Sequence, residues 1–392
     1  MTLSSLTDAA AAVRGALAVA GRGLVERDAL LELVVLAAVA GEHLLVIGPP
    51  GTAKSAAVRR IARALGGNYF EYLLGRFTEP SEIFGPVDLR KLREGRVETE
   101  TAGMLPEAEI AFLDEVFLGS TAILNALLGL LAERVFRRGH TTMRCPLRVC
   151  VGAANALPQE ESLAAFADRF LVRVFVEPIP DARLEELLEQ GFGAAQELDA
   201  PLASLAQLDV LGAAARNVDL EGVRPALAHA IRRLRGAGIA LSDRRLVKIQ
   251  RLVAAAAALA GRTRASDGDL WPIVAAVPTA AEQAQTRDTL RDLLQRSESG
   301  VLGAAAAESS LGPLVRAARI AGDADLLLAR DPGIEPLARE AWRLKLEALA
   351  REIDASFRAE ELPADAARVR AAIVERFAAL DAAAPAPGPG GV

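Results

Sequence analysis

Two parts of the chain carry residues that could bind a nucleoside triphosphate and cleave its terminal phosphate. The first, GPPGTAKS over residues 48–55, differs from the phosphate-binding pattern G-x-x-x-x-G-K-[ST] only at Ala53. In such a loop backbone N–H groups converge on a phosphate, Lys54 reaches the β- and γ-phosphates, and the Ser55 hydroxyl is offered to Mg²⁺. A chance Gly/Pro turn before a helix is the alternative. The predicted cofactors are ATP and Mg²⁺, and the predicted binding residues of the loop are Pro50, Gly51, Thr52, Ala53, Lys54, Ser55 and Ala56.

Ala53 stands where the pattern requires its second glycine. Its methyl group is tolerable if the residue has a negative φ, which we expect next to the first turn of a helix. The glycine needed where the backbone approaches the phosphate is then Gly51, which is present. The substitution therefore does not by itself mark the loop as inactive.

The second part supplies polar side chains at the ends of two apolar runs. EIAFLDEV ends in Asp114 and Glu115, and VGAAN ends in Asn155. Asp114 would hold Mg²⁺ together with Ser55, usually through water. Glu115 would act as the base that polarises the attacking water, and Asn155 would help to orient that water. The alternatives are the acidic first turn of a helix for the two carboxylates and a turn residue for Asn155.

Alternating strands and helices place these motifs. An apolar strand precedes the loop and a helix follows it, which is the context that the phosphate-binding pattern requires. The alternation predicts an α/β fold with a parallel sheet flanked by helices, and beyond Pro180 only helices are predicted. The predicted strands are 43–48, 109–116, one within 135–155 after a hairpin, and 170–177; the predicted helices include 54–65 and 120–134.

Composition limits the function classes. The 392 residues carry 45 Lys and Arg against 51 Asp and Glu, a net charge of −6, which argues against a nucleic-acid partner. Two cysteines do not make a disulfide framework, and three histidines make no credible His/Cys metal cluster. No signal peptide opens the chain, and its apolar runs are too short to span a membrane. We therefore expect a cytoplasmic protein.

The motifs together resemble AAA+ ATPases of the MoxR family, in particular its RavA-like branch, over roughly residues 20–180. RavA-like members commonly carry alanine at the position of Ala53, which favours a working site. The resemblance implies an AAA+ P-loop NTPase with an all-α lid and a C-terminal helical domain. The matching blocks are GLVER (23–27), GPPGTAKS (48–55), RFTEPSEIFGPVDL (76–89), GMLPEAEIAFLDEVFLGSTAILNALLGLLAER (103–134), GAANALP (152–158) and FADRFLVR (166–173). The implied domains are residues 1–180 for the α/β nucleotide-binding domain, 181–280 for the lid, 281–383 for the C-terminal helices and 384–392 for a disordered tail.

The resemblance also implies roles for residues outside the loop. Leu24 and Val25 of GLVER would pack near the adenine. Arg169 of ADRF would be an arginine finger that acts on the ATP of a neighbouring subunit, and Arg173 is a nearby alternative. If Arg169 has no such role, an ordinary surface pair with Asp168 is expected.

LSDRRLVK, residues 241–248, resembles the sensor-2 helix of the family. Arg244 matches the sensing arginine best, and Arg245 is the second candidate for contact with the nucleotide. A solvated basic helix face is the alternative. In the C-terminal part we find no β-rich insertion of the RavA-like kind, so no function of that insertion is carried over.

The implied function is an ATP-driven machine that remodels protein clients. An arginine finger supplied in trans requires an assembly, for which we expect a hexameric ring of identical chains. MoxR relatives usually act with a protein that bears a von Willebrand factor A domain. The alternatives are a chelatase-type ATPase subunit for metal insertion, a nucleic-acid motor, and a nucleotide-bound scaffold that does not turn over.

Overall fold

The computed structural model describes residues 3–193, 200–297, 299–330, 335–357 and 362–383, and the predicted disordered tail lies outside them. The described residues form seven strands, with the bounds β1 Leu44–Ile47, β2 Tyr69–Leu73, β3 Ile110–Asp114, β4 Val135–Arg138, β5 Thr141–Arg144, β6 Val149–Ala154 and β7 Val172–Phe175. They also form eighteen α-helices, with the bounds α1 Leu3–Gly21, α2 Asp28–Ala40, α3 Lys54–Leu65, α4 Pro80–Phe84, α5 Leu89–Arg93, α6 Thr121–Glu133, α7 Glu161–Ala167, α8 Leu184–Gly193, α9 Leu205–Ala215, α10 Arg224–Gly236, α11 Asp243–Leu259, α12 Pro272–Ala275, α13 Ala280–Thr289, α14 Arg291–Leu294, α15 Gly303–Leu311, α16 Pro313–Ala329, α17 Pro336–Ser356 and α18 Ala364–Ala383.

Five strands form a parallel sheet in the order β2-β3-β6-β1-β7. Strands β1 and β6 are buried along their whole length, as expected for apolar strands covered on both faces by helices. The predicted parallel sheet flanked by helices is therefore confirmed. Strands β4 and β5 form the separate antiparallel hairpin that the sequence predicted. The polar residues that follow β1, β3 and β6 lie at the same edge of the sheet, where parallel strands have their carboxyl ends.

Strand β2 is the edge strand that sequence analysis missed. Its sequence YFEYL is half-buried and lacks the apolar run that marks the central strands. Glu71 in its middle accepts two hydrogen bonds from the Arg59 guanidinium on α3, at 2.8 and 2.9 Å. An edge strand tolerates such a charged residue because one of its sides is not paired with another strand.

Packing divides the chain into two compact units, Met1–Pro178 with Gln190–Ser310, and Ile179–Glu189 with Leu311–Val392. In the first unit the core on one side of the sheet joins α1, α2 and α3 with α9 and α11, and a second core lies on the other side beneath α6. Helices α9 and α11 thus pack on the α/β part within the first unit. The predicted division into domains at 180 and 280 draws different boundaries and remains a prediction about functional domains.

The second unit has its own core, built from α16, α17 and α18. Trp342 of α17 is buried in it and donates a hydrogen bond from Nε1 to the carbonyl oxygen of Leu327, at 2.8 Å. The predicted helical C-terminal region is therefore confirmed. Across both units, the described helices include none that is long and apolar enough to cross a lipid bilayer.

Candidate nucleotide site

A cavity of about 300 Å³ lies at the carboxyl edge of the sheet. It brings together residues from the loop after β1, the end of β3 and the end of β6, which the sequence had singled out separately. The lining residues are Pro50, Gly51, Thr52, Ala53, Lys54, Ser55, Asp114, Glu115 and Asn155. The predicted loop residue Ala56 lies next to this set on α3, half-buried and outside the cavity lining.

Lys54 begins α3 and is buried against its own loop. Its ammonium group donates hydrogen bonds to the carbonyl oxygens of Gly48 and Pro49, at 2.7 and 2.9 Å. Burial lowers the pKa of this ammonium group, whereas the charges of Asp114 and Glu115 oppose that effect. A buried cation with acidic residues on the other side of a small cavity is suited to binding a phosphate together with a metal ion.

The expectation that Ala53 has a negative φ is wrong. Its φ is +59° and its ψ is 26°, the left-handed conformation that glycine adopts without strain. The loop must reverse direction immediately before α3, and the backbone takes the path that a glycine would take. The methyl group costs about 1 kcal/mol there, since its Cβ lies close to the following carbonyl oxygen. Gly51 also has a left-handed φ, of +78°, as expected for the residue where the backbone approaches the phosphate.

Gly48 fixes the start of the loop against the sheet. A Cβ atom at this position would lie 2.2 Å from the carbonyl oxygen of Val176, which is too close for any side chain. Its N–H donates to the carbonyl oxygen of Ala154 at 3.1 Å. The loop therefore leaves the sheet wedged between β6 and the end of β7.

The carboxylates after β3 are held by two local hydrogen bonds. Asn155 donates from Nδ2 to Oε1 of Glu115 at 2.6 Å, and the Glu115 N–H donates to Oδ1 of Asp114 at 3.0 Å. Glu115 itself has a left-handed φ of +48°, a strained conformation of the kind that clusters at functional sites. The amide and both carboxylates thus face the cavity in one fixed arrangement.

This donor set fits ATP with Mg²⁺. The Ser55 hydroxyl and the Asp114 carboxylate, which are hard oxygen ligands of the kind Mg²⁺ prefers, line the same cavity as Lys54. At Gly51 the backbone is open, since a Cβ atom built there would meet no other atom within 4 Å. The cavity therefore has both a place for oxygen ligands and an open backbone surface for phosphate.

Arg27 contacts the phosphate-binding loop, although sequence analysis assigned this arginine no role. It is buried, and its guanidinium donates from Nε to the carbonyl oxygen of Thr52 and from Nη2 to that of Glu177, both at 2.9 Å. It also contributes to the lowered pKa of Lys54. Arg27 thus ties the phosphate-binding loop to the chain that leaves β7. In the sequence, the one signal for Arg27 was its position in the block GLVER.

The two residues predicted to pack near the adenine lie just before Arg27. Val25 is buried, and Leu24 is half-buried against the large core of the first unit. Neither belongs to the lining of the phosphate cavity. The predicted contact of Leu24 and Val25 with the adenine would therefore lie outside this cavity.

The predicted arginines lie in three different environments. Arg169 is half-buried, and Arg244 is exposed in the first turn of α11. Arg245 and Arg173 are both buried, at 2% and 4% exposure, and bond to protein oxygens. Asp168 pairs with Arg245 at 2.6 Å, and among the described residues no ion pair joins it to Arg169. None of these four arginines lines the phosphate cavity of its own chain.

Two protein-family models match parts of the chain. Residues 11–212 match a family described as the MoxR domain in the MoxR-vWA-beta-propeller ternary systems, and residues 223–289 match the AAA lid domain. The first match covers more than half of the chain and includes every residue of the cavity lining.

Individual relatives are similar over part of the chain. Two uncharacterized proteins of Methanocaldococcus jannaschii are 38% and 37% identical over 249 and 246 residues, 62% of this chain in each case and 65% and 64% of the relatives. Chaperone MoxR1 of Mycobacterium tuberculosis is 29% identical over 175 residues, 43% of this chain and 46% of that protein. The chain spans less than two thirds of the length of each of these relatives.

A solved structure shares the fold. A Cytophaga hutchinsonii protein assigned as an ATPase superimposes with a TM-score of 0.61 at 15% identity, covering 76% of this chain and 97% of that one. At this identity the likeness concerns the fold alone.

Proposed function

The chain belongs to the MoxR family of AAA+ ATPases, and on that premise we propose that it hydrolyses ATP to remodel protein clients or complexes. The observation that carries this proposal is the single cavity that joins Lys54, Ser55 and Asp114 with the bonded pair Glu115 and Asn155. Phosphate binding, metal binding and activation of water each have a residue of suitable chemistry there.

Each residue has one task in this mechanism. Lys54 would exchange its bonds to the loop carbonyls for bonds to the β- and γ-phosphates, and Ser55 and Asp114 would hold Mg²⁺. The bound Mg²⁺ would neutralise charge that develops on the phosphate oxygens. Glu115 accepts the proton of the attacking water, and Asn155 keeps the Glu115 carboxylate oriented towards it.

The site is completed by a second chain in this proposal. Arg169 lies outside the phosphate cavity of its own chain, and we assign it as the arginine finger for a neighbour, where such a group contributes about 10³–10⁵ in rate. Arg244, exposed on α11, is the proposed sensor of the chain's own nucleotide. A heterologous interface repeated around a closed ring, with six subunits, satisfies both assignments.

The proposed partner is a protein with a von Willebrand factor A domain. The matched family is described by MoxR-vWA-beta-propeller ternary systems, which supports this partner and adds a β-propeller protein as a third component. We retain the RavA-like branch as the proposed position within the family because Ala53 and the block GPPGTAKS favour it.

Mixing two inactive variants tests the shared site. Glu115→Gln can supply Arg169 but cannot activate water, and Arg169→Ala has an intact cavity but no finger. Each variant alone should hydrolyse ATP at a small fraction of the wild-type rate, and an equimolar mixture should recover activity at the borders where both wild-type residues meet. A mixture no more active than its components would remove the proposed trans arrangement.

A further inference from the structure

We propose that Arg245 and Arg173 form a buried bracket that positions Arg169 for its action on the neighbouring subunit. This inference rests on the proposed function, in which Arg169 is the finger. It assigns Arg245, the second candidate for nucleotide contact, to a different task. The bracket is defined by these two arginines and the segment 167–171 that they hold.

The Arg245 guanidinium donates hydrogen bonds to the segment 167–171. It donates from Nε to Oδ1 of Asp168 at 2.6 Å, from Nη1 to the carbonyl oxygen of Leu171 at 2.9 Å, and from Nη2 to that of Phe170 at 3.1 Å. Nη1 also donates to the carbonyl oxygen of Ala276 at 2.7 Å. With four acceptors and 2% exposure, this guanidinium is committed to protein oxygens.

Arg173 holds the segment from within β7. It donates from Nε to the carbonyl oxygen of Phe170 at 3.2 Å and from Nη2 to that of Ala167. Its own carbonyl oxygen accepts a bond from Nε2 of Gln283, which also donates to Val277. The two arginines together occupy acceptors on both sides of position 169 in the sequence.

The arrangement is costly to stability, which argues for a purpose beyond packing. Burial and, to a lesser extent, the nearby charge of Arg245 lower the pKa of Arg173 to about 9, while Asp168 opposes both effects. Buried charges with incomplete pairing are often replaced by apolar residues without loss of stability. The two buried guanidinium groups instead give the segment a directional set of hydrogen bonds, from Arg245 to Asp168 and from both arginines to backbone carbonyl oxygens.

The bracket holds the backbone around Arg169 and leaves its side chain unengaged. The Arg169 Nε is buried and has no hydrogen-bond partner within the part of the chain that the structure describes. Its sequence neighbour Asp168, the obvious local partner, is taken by Arg245. Within the described residues, no acceptor thus engages the Nε of Arg169, while the bracket holds the backbone on both sides of it.

The bracket also includes a residue of the helix that carries the proposed sensor. Arg245 follows Arg244, the proposed sensor of the chain's own nucleotide, on the first turn of α11. Arg245 therefore joins the helix that carries the proposed sensor to the segment 167–171.

The bracket is tested by introducing Arg245→Met into either the Glu115→Gln chain or the Arg169→Ala chain of the mixture described above. In the finger-supplying Glu115→Gln chain it should reduce the recovered hydrolysis by about tenfold or more, since a small misplacement of a catalytic group has effects of that size. In the hydrolysing Arg169→Ala chain it should leave the recovered rate within about twofold, because that chain's cavity is intact. Arg251→Met is the matched control, since Arg251 lies on the same helix and bonds to Glu42, at 3.0 Å, and not to the segment.

The outcomes separate the possible explanations. If Arg245→Met reduces the recovered hydrolysis only when it is placed in the hydrolysing chain, Arg245 serves the nucleotide of its own chain and the bracket is overturned. Equal recovered rates in both placements would overturn it as well. If the parent mixture of Glu115→Gln and Arg169→Ala shows no recovery, the proposed function fails before the bracket is tested. If Arg245→Met does not fold, Asp168→Asn in the same two placements should give the same asymmetry, and its absence would overturn the proposal.

Discussion

Asn155 and Glu115 are 40 positions apart in the sequence and are joined by a hydrogen bond of 2.6 Å from Nδ2 to Oε1. The bond links the ends of β6 and β3, which are neighbours in the sheet. Glu115 has a strained left-handed backbone, so both its main chain and its side chain are held by the surrounding structure. A carboxylate fixed in this way can act on a water molecule without first having to find its orientation.

Removing the amide should therefore lower turnover more than binding. For Asn155→Ala we expect kcat to fall by about 10- to 100-fold while the KM for ATP changes less than about threefold, because the phosphate-binding groups remain. Steady-state hydrolysis at saturating Mg²⁺ measures both values. The control is Asn217→Ala, at an exposed asparagine whose side chain donates to the Ala213 carbonyl oxygen, and it should behave as wild type. A kcat within twofold of wild type for Asn155→Ala would contradict this role.

Ala53 offers a test on stability. Ala53→Gly should raise the free energy of unfolding by up to about 1 kcal/mol, because the left-handed φ of +59° strains alanine and suits glycine. ATP binding should be retained, since the backbone path is already that of a glycine. Denaturant unfolding measures the change. Ala11→Gly, at an exposed position inside α1, should change stability in the opposite direction by a similar amount.

Arg27 should matter for ATP binding without contacting ATP. In Arg27→Met the carbonyl oxygens of Thr52 and Glu177 lose their donor, so the loop loses its tie to the end of β7. We expect ATP affinity to fall by about tenfold and stability by about 2 kcal/mol, the order of a buried charge-assisted bond. Calorimetric binding and denaturant unfolding measure the two effects. The exposed Arg22, changed to Met, is the control, and equal ATP affinity in both variants would refute the assignment.

The raised pKa of Glu32 predicts that the stability of the fold depends on pH. Its Oε2 accepts the N–H of Ala305 at 2.6 Å, and burial raises its pKa from 4.5 to about 7, with a smaller contribution from the charge of Asp28. A raised folded-state pKa means that its contribution to stability is fully present below about pH 4.5 and is lost as the pH rises through about 7.

Comparison of wild type with Glu32→Gln isolates this effect, because the amide oxygen can still accept the Ala305 bond but does not ionise. The free energy of unfolding of wild type relative to the variant should fall by up to about 3 kcal/mol between about pH 5 and pH 8. Glu161→Gln, at an exposed position on α7, should show no such slope. A difference between wild type and Glu32→Gln that stays constant over this range would contradict the predicted shift.

The central sheet and its loop were predictable because each feature leaves a local pattern. Buried parallel strands such as β1 and β6 are short apolar runs, and α3 begins at Lys54 as the phosphate-binding pattern requires. The end positions of Asp114 and Asn155 then followed from the rule that parallel strands share their carboxyl edge. These elements needed no knowledge of distant contacts.

Features set by tertiary contacts were missed or mistaken. Strand β2 has no apolar run because it lies at the edge of the sheet, and the φ of Ala53 depends on how the loop joins α3. Sequence analysis gave Arg27 no role and Arg245 a place as second candidate for nucleotide contact, and only the fold shows that both are buried and bonded to backbone carbonyl oxygens. Such roles depend on partners more than 20 residues away in the chain.

The most direct test of the central claim is phosphate release by the purified chain with ATP and Mg²⁺, measured over a range of protein concentrations. Wild type should hydrolyse ATP with a rate per chain that rises with concentration. Lys54→Ala should neither bind nor hydrolyse ATP, and Glu115→Gln should bind ATP without hydrolysing it. Absence of hydrolysis by wild type at every concentration, or hydrolysis that Lys54→Ala leaves unchanged, would contradict the account.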